Sequence, residues 1–445
     1  MTLRIGIDVG GTFTDVTAFD EDRGKVAVRK YASNPADPAR VIEGITQDLA
    51  DEHGPHAVSL ILHGSTAALN TLLEDRGARV GLLTTRGFRD VYEIGRQWRG
   101  EDVFNIFPPA PKMLLTRERI YEIGERLDAR GAVVEPLSGA EVEVATRKLL
   151  AGGIEAIAIC FLFSYANPAH EQEAAAIVRR IAPQIYLSLS SEVNPEWREY
   201  ERTASTVANA YIGPVVSHHL HALEALAVRQ FPGVRSLMMK SDGGAASAKM
   251  LARVPIQTVM SGPVAGVIGS RHLGDLKGIE NLISFDAGGT SSDMAVIPGR
   301  PLYKSGLTVA RHPLRCHTID IETIGAGGGS IASVELGSVL RVGPRSAGSN
   351  PGPACYDRGG VEPTLTDALV VLGHLNPDSL LDAEMPIASA RAHEAIGGRI
   401  AKPLGLSVVA AAWGILTVLA SNVMNAMRTI TIERGYDPRE FTLVP

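Results

Sequence analysis

Three cysteines in 445 residues, Cys160, Cys316 and Cys355, lie far apart. They are too few for a disulfide framework, and such usage fits a reducing compartment. Basic runs are missing as well. With a formal net charge of −6 and no cluster of Lys or Arg, the chain lacks the electrostatic footprint of a nucleic-acid partner. The opening MTLRIGIDVGG has no basic stretch ahead of an apolar one, so it does not read as a signal peptide, and a cytoplasmic location is expected. A clean membrane span is also lacking. The most apolar stretch, residues 406–427, is broken by Ser407, Thr417, Ser421, Asn422 and Asn425, and a buried helix is expected there. Two familiar nucleotide signatures are absent. There is no GxxxxGK[ST] loop, and no dinucleotide fingerprint, because a second strand follows the glycines near the N-terminus where a helix should.

What is present is an ordinary globular composition, 45% hydrophobic and 21% charged, in a chain long enough for two or three domains. Residues 3–9 and 15–19 alternate as strands around a glycine loop. Residues 35–54 predict a helix, with Val41, Ile45 and Leu49 on one face and Gly54 as its stop. Residues 59–85 read strand, helix, strand, and residues 137–164 read helix, then buried strand. Residues 194–216 form a helical pattern that meets Pro214. A second block starts near residue 235, and a long helical pattern covers roughly 387–434. This alternation predicts an α/β fold with covered sheets. Residues 325–360, rich in Gly, Pro and Ser, are too long for a simple turn, and long ordered loops are often functional.

The loop itself recurs. DVGGTFTD at 8–15 aligns with DAGGTSSD at 286–293, with Asp, Gly, Gly, Thr and the final Asp in one register. RIGI and LISF precede the two copies, and VTAF and MAVI follow them, so a structural unit is duplicated. Paired glycines let backbone approach a ligand closely, and successive N–H groups in such a turn form an anion nest. Gly10, Gly11 and Thr12, with Gly288, Gly289 and Thr290, are therefore candidate phosphate holders. Asp8 and Asp286, each ending a strand, are candidate Mg²⁺ ligands acting through water. Two such loops face to face would clamp a polyphosphate and its metal. Plain hairpin turns are the alternative, weakened by the matched second copy. A third glycine loop, GAGGGS at 325–330, adds Gly327 and Gly328 as candidate nucleotide contacts.

The repeated loops resemble those of the actin, Hsp70 and sugar-kinase superfamily, in which two ribonuclease-H-like domains close over ATP. Further blocks narrow the resemblance: HGSTAALNTLLEDRGARVGLLTTRGFRDVYEIGRQ (63–97), ERLDARGAVVEPL (125–137), SGPVAGVIGS (261–270), TIGAGGGSIA (323–332), VGPRSAGSNPGPACYDRGG (342–360) and TITIERGYDPREFTLV (429–444). Together they resemble the hydantoinase A/oxoprolinase family, which includes ATP-dependent N-methylhydantoinase, 5-oxoprolinase and acetone and acetophenone carboxylase subunits. The resemblance implies two domains, 1–195 and 196–445, around a nucleotide cleft. It implies ATP and Mg²⁺ as cofactors, and ATP-dependent activation of a carbonyl oxygen leading to cyclic amide hydrolysis. A ketone carboxylase subunit and a non-catalytic ATP-binding subunit are the alternatives. It also implies a hydantoinase B-type partner subunit and an oligomer, while the charge and hydropathy above argue against nucleic acid or a membrane as partner. Family members continue past FTLV with a further glycine-rich segment that helps hold adenosine, so the C-terminal part of the fold is expected to be missing here.

Other residues carry two readings each. Asp15 and Asp293 orient water or metal, or cap their own turns. His63, just after the strand SLIL, is an acid/base or substrate contact, or a helix-start histidine bonded to backbone. Arg96 holds a substrate carboxylate or phosphate, or forms a surface salt bridge. Asp242 in SDGG is a second metal or substrate ligand, or a turn residue. Cys316, His317, Asp320 and Cys355 raise a zinc site, although their spacing matches no standard one. Trp98 and Phe104 favour an aromatic ketone, or pack locally.

Overall fold

The chain was analysed as a computed structural model that describes residues 2–10, 13–33, 38–96, 104, 113–378 and 386–445. Strand β1 (Leu3–Val9) alternates, with Leu3, Ile5, Ile7 and Val9 buried and Arg4 exposed, as a strand with one packed face should. It pairs antiparallel with β2 (Phe13–Asp20), and β2 pairs antiparallel with β3 (Lys25–Ala32). Helix α1 (Pro38–His53) crosses to β4 (Val58–Ser65), which lies parallel beside β1. Helix α2 (Ala67–Leu73) follows.

The chain then leaves this sheet and builds a second one. Strand β5 (Val80–Thr85), helix α3 (Val91–Ile94), β6 (Ile120–Ile123), a small hairpin of β7 (Arg126–Leu127) and β8 (Val133–Glu135), helix α4 (Gly139–Ala151), β9 (Ala156–Cys160), α5 (Ala169–Ile181), β10 (Tyr186–Leu189) and α6 (Ser190–Val193) follow in turn. The four main strands run parallel in the order β10-β9-β5-β6. Every residue of β5 and β9 is buried, the mark of central parallel strands covered on both faces.

Helix α7 (Glu199–Gln230) returns the chain to the first sheet. It runs through Pro214 rather than stopping there, and residues 202–213 are buried all round. Strand β11 (Arg235–Met239) then joins β4 in parallel, with β12 (Ala245–Ala246) at its edge. The first sheet thus reads β3-β2-β1-β4-β11, the ribonuclease-H-like order, with the second sheet inserted between its fourth and fifth strands. Residue 195 falls between α6 and α7, ahead of the strand that completes the first sheet.

After α8 (Ala248–Leu251), α9 (Ser261–Lys277) leads into a third sheet. That sheet begins with β13 (Asn281–Ala287) and β14 (Ser292–Pro298); β15 (Tyr303–Lys304) then pairs with β18 (Thr318–Ile319) and β16 (Leu307–Val309) with β17 (His312–Leu314) as two separate small sheets, before β19 (Glu322–Ile324) returns to the third sheet. Strands β20 (Ser330–Glu335) and β21 (Val339–Ser346) form a hairpin, and α10 (Leu365–Val371), α11 (Ser389–Ile396), α12 (Lys402–Leu404) and α13 (Val408–Ile430) pack around it. Strand β22 (Thr442–Val444) comes back parallel to β13. The order β19-β14-β13-β22 repeats β3-β2-β1-β4 with the same directions. The fold is α/β, with two sheets of ribonuclease-H-like order.

Helix α13 departs from the buried helix expected over 406–427. Ala411, Ala412, Ile415 and Leu419 form one buried stripe, while Val409, Trp413 and Met424 are exposed. The helix is long and apolar enough to cross a membrane by length and composition. Ala411, Ala412, Ile415 and Leu419 pack against the cluster containing Val342 and Leu365, so one face is covered while other apolar residues of the helix remain exposed.

Close packing of α7 on the inserted sheet depends on Gly213. A Cβ there would lie 2.2 Å from the Tyr186 ring, whose hydroxyl donates to the Ala252 carbonyl at 2.9 Å. Alanine favours helix over glycine by about 1 kcal/mol, but overpacking typically costs about 1–3 kcal/mol. Gly213→Ala is therefore expected to lower the urea midpoint; an unchanged or higher midpoint would contradict this packing.

Candidate functional site

The two repeated loops are hairpins of the same construction. Asp8 sits directly opposite Asp15 across β1 and β2, and Asp286 directly opposite Asp293 across β13 and β14. The Gly10 N–H donates to the Phe13 carbonyl at 3.0 Å, and the Gly288 N–H to the Ser291 carbonyl at 2.9 Å. These two glycine N–H groups thus close the hairpins. Gly11 and Thr12, at the first tip, lie outside the described residues. At the second tip Gly289 and Thr290 are exposed.

The GAGGGS segment braces the second hairpin. Gly328 N–H donates to the Gly288 carbonyl at 3.0 Å and Gly329 N–H to the Gly289 carbonyl at 2.6 Å. Gly327 N–H is held by Ser330 Oγ at 2.9 Å. A Cβ on Gly327 would stand 2.7 Å from the Gly288 carbonyl oxygen, so the backbones meet at a distance only glycine allows. In this structure Gly327 and Gly328 spend their N–H groups on protein contacts.

Around Asp8 two distant motifs converge. A Cβ on Gly64, near the end of β4, would lie 2.9 Å from Asp8 Oδ1, and one on Gly262, in the first turn of α9, 3.5 Å. Ser261 Oγ donates to the Ser65 carbonyl at 2.8 Å, tying the end of β4 to the start of α9. HGST and SGPVAG thus form one wall, and the positive end of α9 opens beside the carboxylate.

The cleft is crowded with negative charge. Asp8 borders solvent, yet the walls around it strip hydration, and this mainly holds its carboxyl above the usual range. Asp15 and Asp286 add to the rise, and Lys30 opposes it. The charge of Asp286 is felt at Asp8, so the two carboxylates lie near one another. Asp293 is likewise raised, by burial first and then by Asp286, while a hydrogen bond from Thr323 opposes the shift. Asp15 pairs with Lys30 at 2.7 Å. Carboxylates gathered this way around one lysine leave the cleft negative, although among the described residues no three of them are placed to hold a metal directly.

The remaining expected residues lie elsewhere or are already engaged. His63 is 1% exposed, and neither ring nitrogen has a hydrogen-bond partner among the described residues. It lies in register with Ile7 of the packed face, and burial, with His219 nearby, pushes it down to about 3. Its imidazole is a neutral core group here, away from the carboxylates. Arg96 makes a two-pronged bond to Glu201, at 2.8 and 2.6 Å. Asp242 accepts from Lys240 at 2.6 Å and from the Gly244 N–H at 2.9 Å, which is a turn. Among the described residues no group of three His, Cys, Asp or Glu is placed to hold a metal. Cys316 is buried and pushed up to about 12, His317 faces solvent near Glu196, Asp320 bonds Lys304 and Arg434, and Cys355 packs with Val370 and Ala392. These four residues do not form a zinc site. Trp98 lies outside the described residues, and Phe104 is 89% exposed.

Sequence reading missed Lys30, Gly64, Gly262 and Thr323. Gly64 and Gly262 stand inside blocks already singled out, but their partner Asp8 is far away in sequence. Lys30 and Thr323 are visible only through strand pairing, at corresponding third-strand positions opposite Asp15 and Asp293.

Two sheets of one order, each ending in the same hairpin at a shared cleft, define a duplicated ribonuclease-H-like protein. The chain belongs to the hydantoinase/oxoprolinase family: the model for that family matches residues 202–445, and the model for its N-terminal region matches residues 4–182. It is 38% identical over 450 residues to caprolactamase subunit alpha of Pseudomonas jessenii, covering 99% of this chain and 64% of that one. It is 37% identical over 462 residues to the acetophenone carboxylase gamma subunit of Aromatoleum aromaticum, covering 99% and 62%. The crystal structure of ATP-dependent caprolactamase from Pseudomonas jessenii superposes with a TM-score of 0.83 at 37% identity, covering 99% of this chain and 65% of that one. The chain thus spans somewhat less than two thirds of these relatives.

Two predictions follow from the charges. Asp8 ionises above its ordinary value of 3.8, so its charge costs stability once the pH rises past that value. Asp8→Asn should raise the melting temperature of the metal-free protein at pH 7, and the gain should vanish in acid; a lower melting temperature at pH 7 would contradict the crowding. His63 titrates near 6.5 when unfolded and about 3 when folded. Its contribution is present above pH 6.5 and lost as the pH falls toward 3, by up to about 1.4 kcal/mol per pH unit. His63→Leu should flatten that limb in pH-dependent urea unfolding, and an unchanged slope would show that His63 is charged in the folded chain.

Proposed function

We propose that this chain is the nucleotide-binding part of an ATP-dependent enzyme that activates a carbonyl oxygen, leading to hydrolysis of a cyclic amide. The observation carrying this reading is the pair of hairpins of the same construction, Asp8 opposite Asp15 and Asp286 opposite Asp293, with Asp286 near enough to Asp8 for its charge to act there. Asp8 and Asp286 are the proposed holders of Mg²⁺ through its water shell, which suits a cation that dehydrates reluctantly. Bound Mg²⁺ would neutralise phosphate charge. Gly289 and Thr290 are placed at the second tip to donate to phosphate oxygens, with Gly11 and Thr12 as the proposed counterparts and Gly10 and Gly288 closing the turns. Gly327 and Gly328 hold the second tip in place, and a direct contact to nucleotide is a lesser part of the reading. The start of α9 adds a positive dipole end on the Asp8 side. Asp15 and Asp293 keep metal-bound water oriented. Transfer of a phosphoryl group needs chiefly such positioning and charge neutralisation.

The chain resembles a lactam-opening enzyme and a ketone carboxylase almost equally, at 38% and 37% identity, so a ketone carboxylase subunit is the second reading. Both relatives are named as subunits, which supports a partner, here a hydantoinase B-type subunit, within a larger assembly. Three unpaired, buried cysteines fit a cytoplasmic enzyme.

Phosphate release from MgATP tests this, on the chain alone and with its B-type partner, with hydantoin, 5-oxoproline, caprolactam, acetone and acetophenone offered in turn. Stimulation by a ring amide supports the main reading, and stimulation by a ketone supports the second. Nucleotide binding without stimulation would leave a non-catalytic subunit. Asp286→Asn should cut stimulated release by about a hundredfold or more, the scale seen when one transition-state charge partner is removed; a change of less than a few-fold would remove Asp286 from the metal site.

A further inference from the structure

Residues directly opposite one another on paired strands share a face of the sheet. Asp8, Asp15 and Lys30 therefore form one row across β1, β2 and β3. Asp286, Asp293 and Thr323 form the matching row across β13, β14 and β19. The two rows agree in both carboxylates and differ in the third member. The backbone plan does not demand a cation at that place, since the second half carries a hydroxyl there.

The Lys30 side chain has a definite direction. Its ammonium lies 2.7 Å from Asp15 Oδ1 and 5.1 Å from the centroid of the Phe13 ring. Phe13 stands two residues nearer the hairpin tip than Asp15, on the same face of β2. The lysine thus leans along the sheet toward the turn that Gly10 and Phe13 close. Its charge is felt at Asp8, where it opposes the rise, so the ammonium serves the cleft and is not turned out past the sheet edge. The side chain is still 48% exposed and open to a ligand. An ammonium carries three donors, and the Asp15 oxygen takes one of them.

A lysine on an outer strand commonly blunts a free edge. The exposed Lys25, at the far end of β3 and on its opposite face, suffices for that. An exposed ion pair alone contributes little to stability. Neither role calls for an ammonium drawn over an aromatic ring toward a glycine turn.

We propose that Lys30 is a phosphate-contacting residue, its ammonium joining Asp15 to an oxygen of a polyphosphate seated at the first hairpin. This rests on the nucleotide reading above. Lysine binds phosphate as a point charge. A phosphate oxygen arriving over the turn meets Nζ without displacing Asp15, because the two acceptors take different protons. Lys30 also screens that anion from Asp15 and Asp8, which would otherwise repel it.

The probe is the magnesium complex of AMP-PNP, a non-hydrolysable ATP analogue, titrated into the full chain by calorimetry, so the readout is affinity and not turnover. Lys30→Met should weaken wild-type binding at least about tenfold, and Lys30→Arg, which keeps the charge, should lose less. Lys25→Met removes the same charge from the same strand and should stay within about threefold of wild type. Melting of each nucleotide-free variant checks that it is folded; should Lys30→Met not fold, Lys30→Gln carries the same expectation. A loss below about threefold in a folded Lys30→Met or Lys30→Gln variant, or an equal loss in Lys25→Met, overturns the role of Lys30 and leaves the nucleotide reading standing. Failure of the wild-type chain to bind the probe overturns both.

Discussion

Carboxylates forced close together are what the rest of this architecture accommodates. Strand pairing, not side-chain choice, sets Asp8 against Asp15 and Asp286 against Asp293. With Asp286 near Asp8 as well, the like charges cannot relax without breaking a sheet. Desolvation and repulsion both raise Asp8, so the fold holds an unfavourable field between the hairpins. The cost is met by cores elsewhere: the cluster around β1, α7 and β11 and the one around α9 and β13 keep the two hairpins in place.

The duplication is close in backbone and unequal in charge. The residue facing Asp15 on the third strand is Lys30, whereas the residue facing Asp293 is Thr323. A lysine at 2.7 Å neutralises Asp15; a hydroxyl merely hydrogen-bonds Asp293. The second half therefore keeps more uncompensated negative charge than the first. The second hairpin is also the one braced by glycines from a separate segment, which fixes its tip.

The legible parts of this design were local. A hairpin with Asp–Gly–Gly–Thr between two alternating strands announces itself within eight residues, and its recurrence announces the duplication. What resisted reading depends on long-range pairing. Strand β11 looks like the start of a new block, because nothing near residue 235 says that it will lie beside residues 60–63. His63 follows an apolar strand and reads as a cleft residue, but its register with Ile7 turns it inward. The stripe on α13 is a periodicity inside a largely apolar run, where nothing local tells the packed Ala411, Ala412, Ile415 and Leu419 from their exposed apolar neighbours.

Helix α7 ties the inserted sheet to the cleft. Arg202, in its second turn, lines a small cavity at the end of the inserted sheet; His219, 17 residues on, bonds Ser65 Oγ at 3.2 Å. At about 1.5 Å rise per residue these points stand roughly 26 Å apart along the helix. Ser65 is joined to Ser261 at the wall that encloses Asp8. Arg202 and the wall beside Asp8 are thus well separated, although one helix touches both. The buried middle of α7 is packed between two sheets, with the Tyr186 ring against Gly213. That packing holds the helix in place at the point where Pro214 removes a backbone hydrogen bond from it.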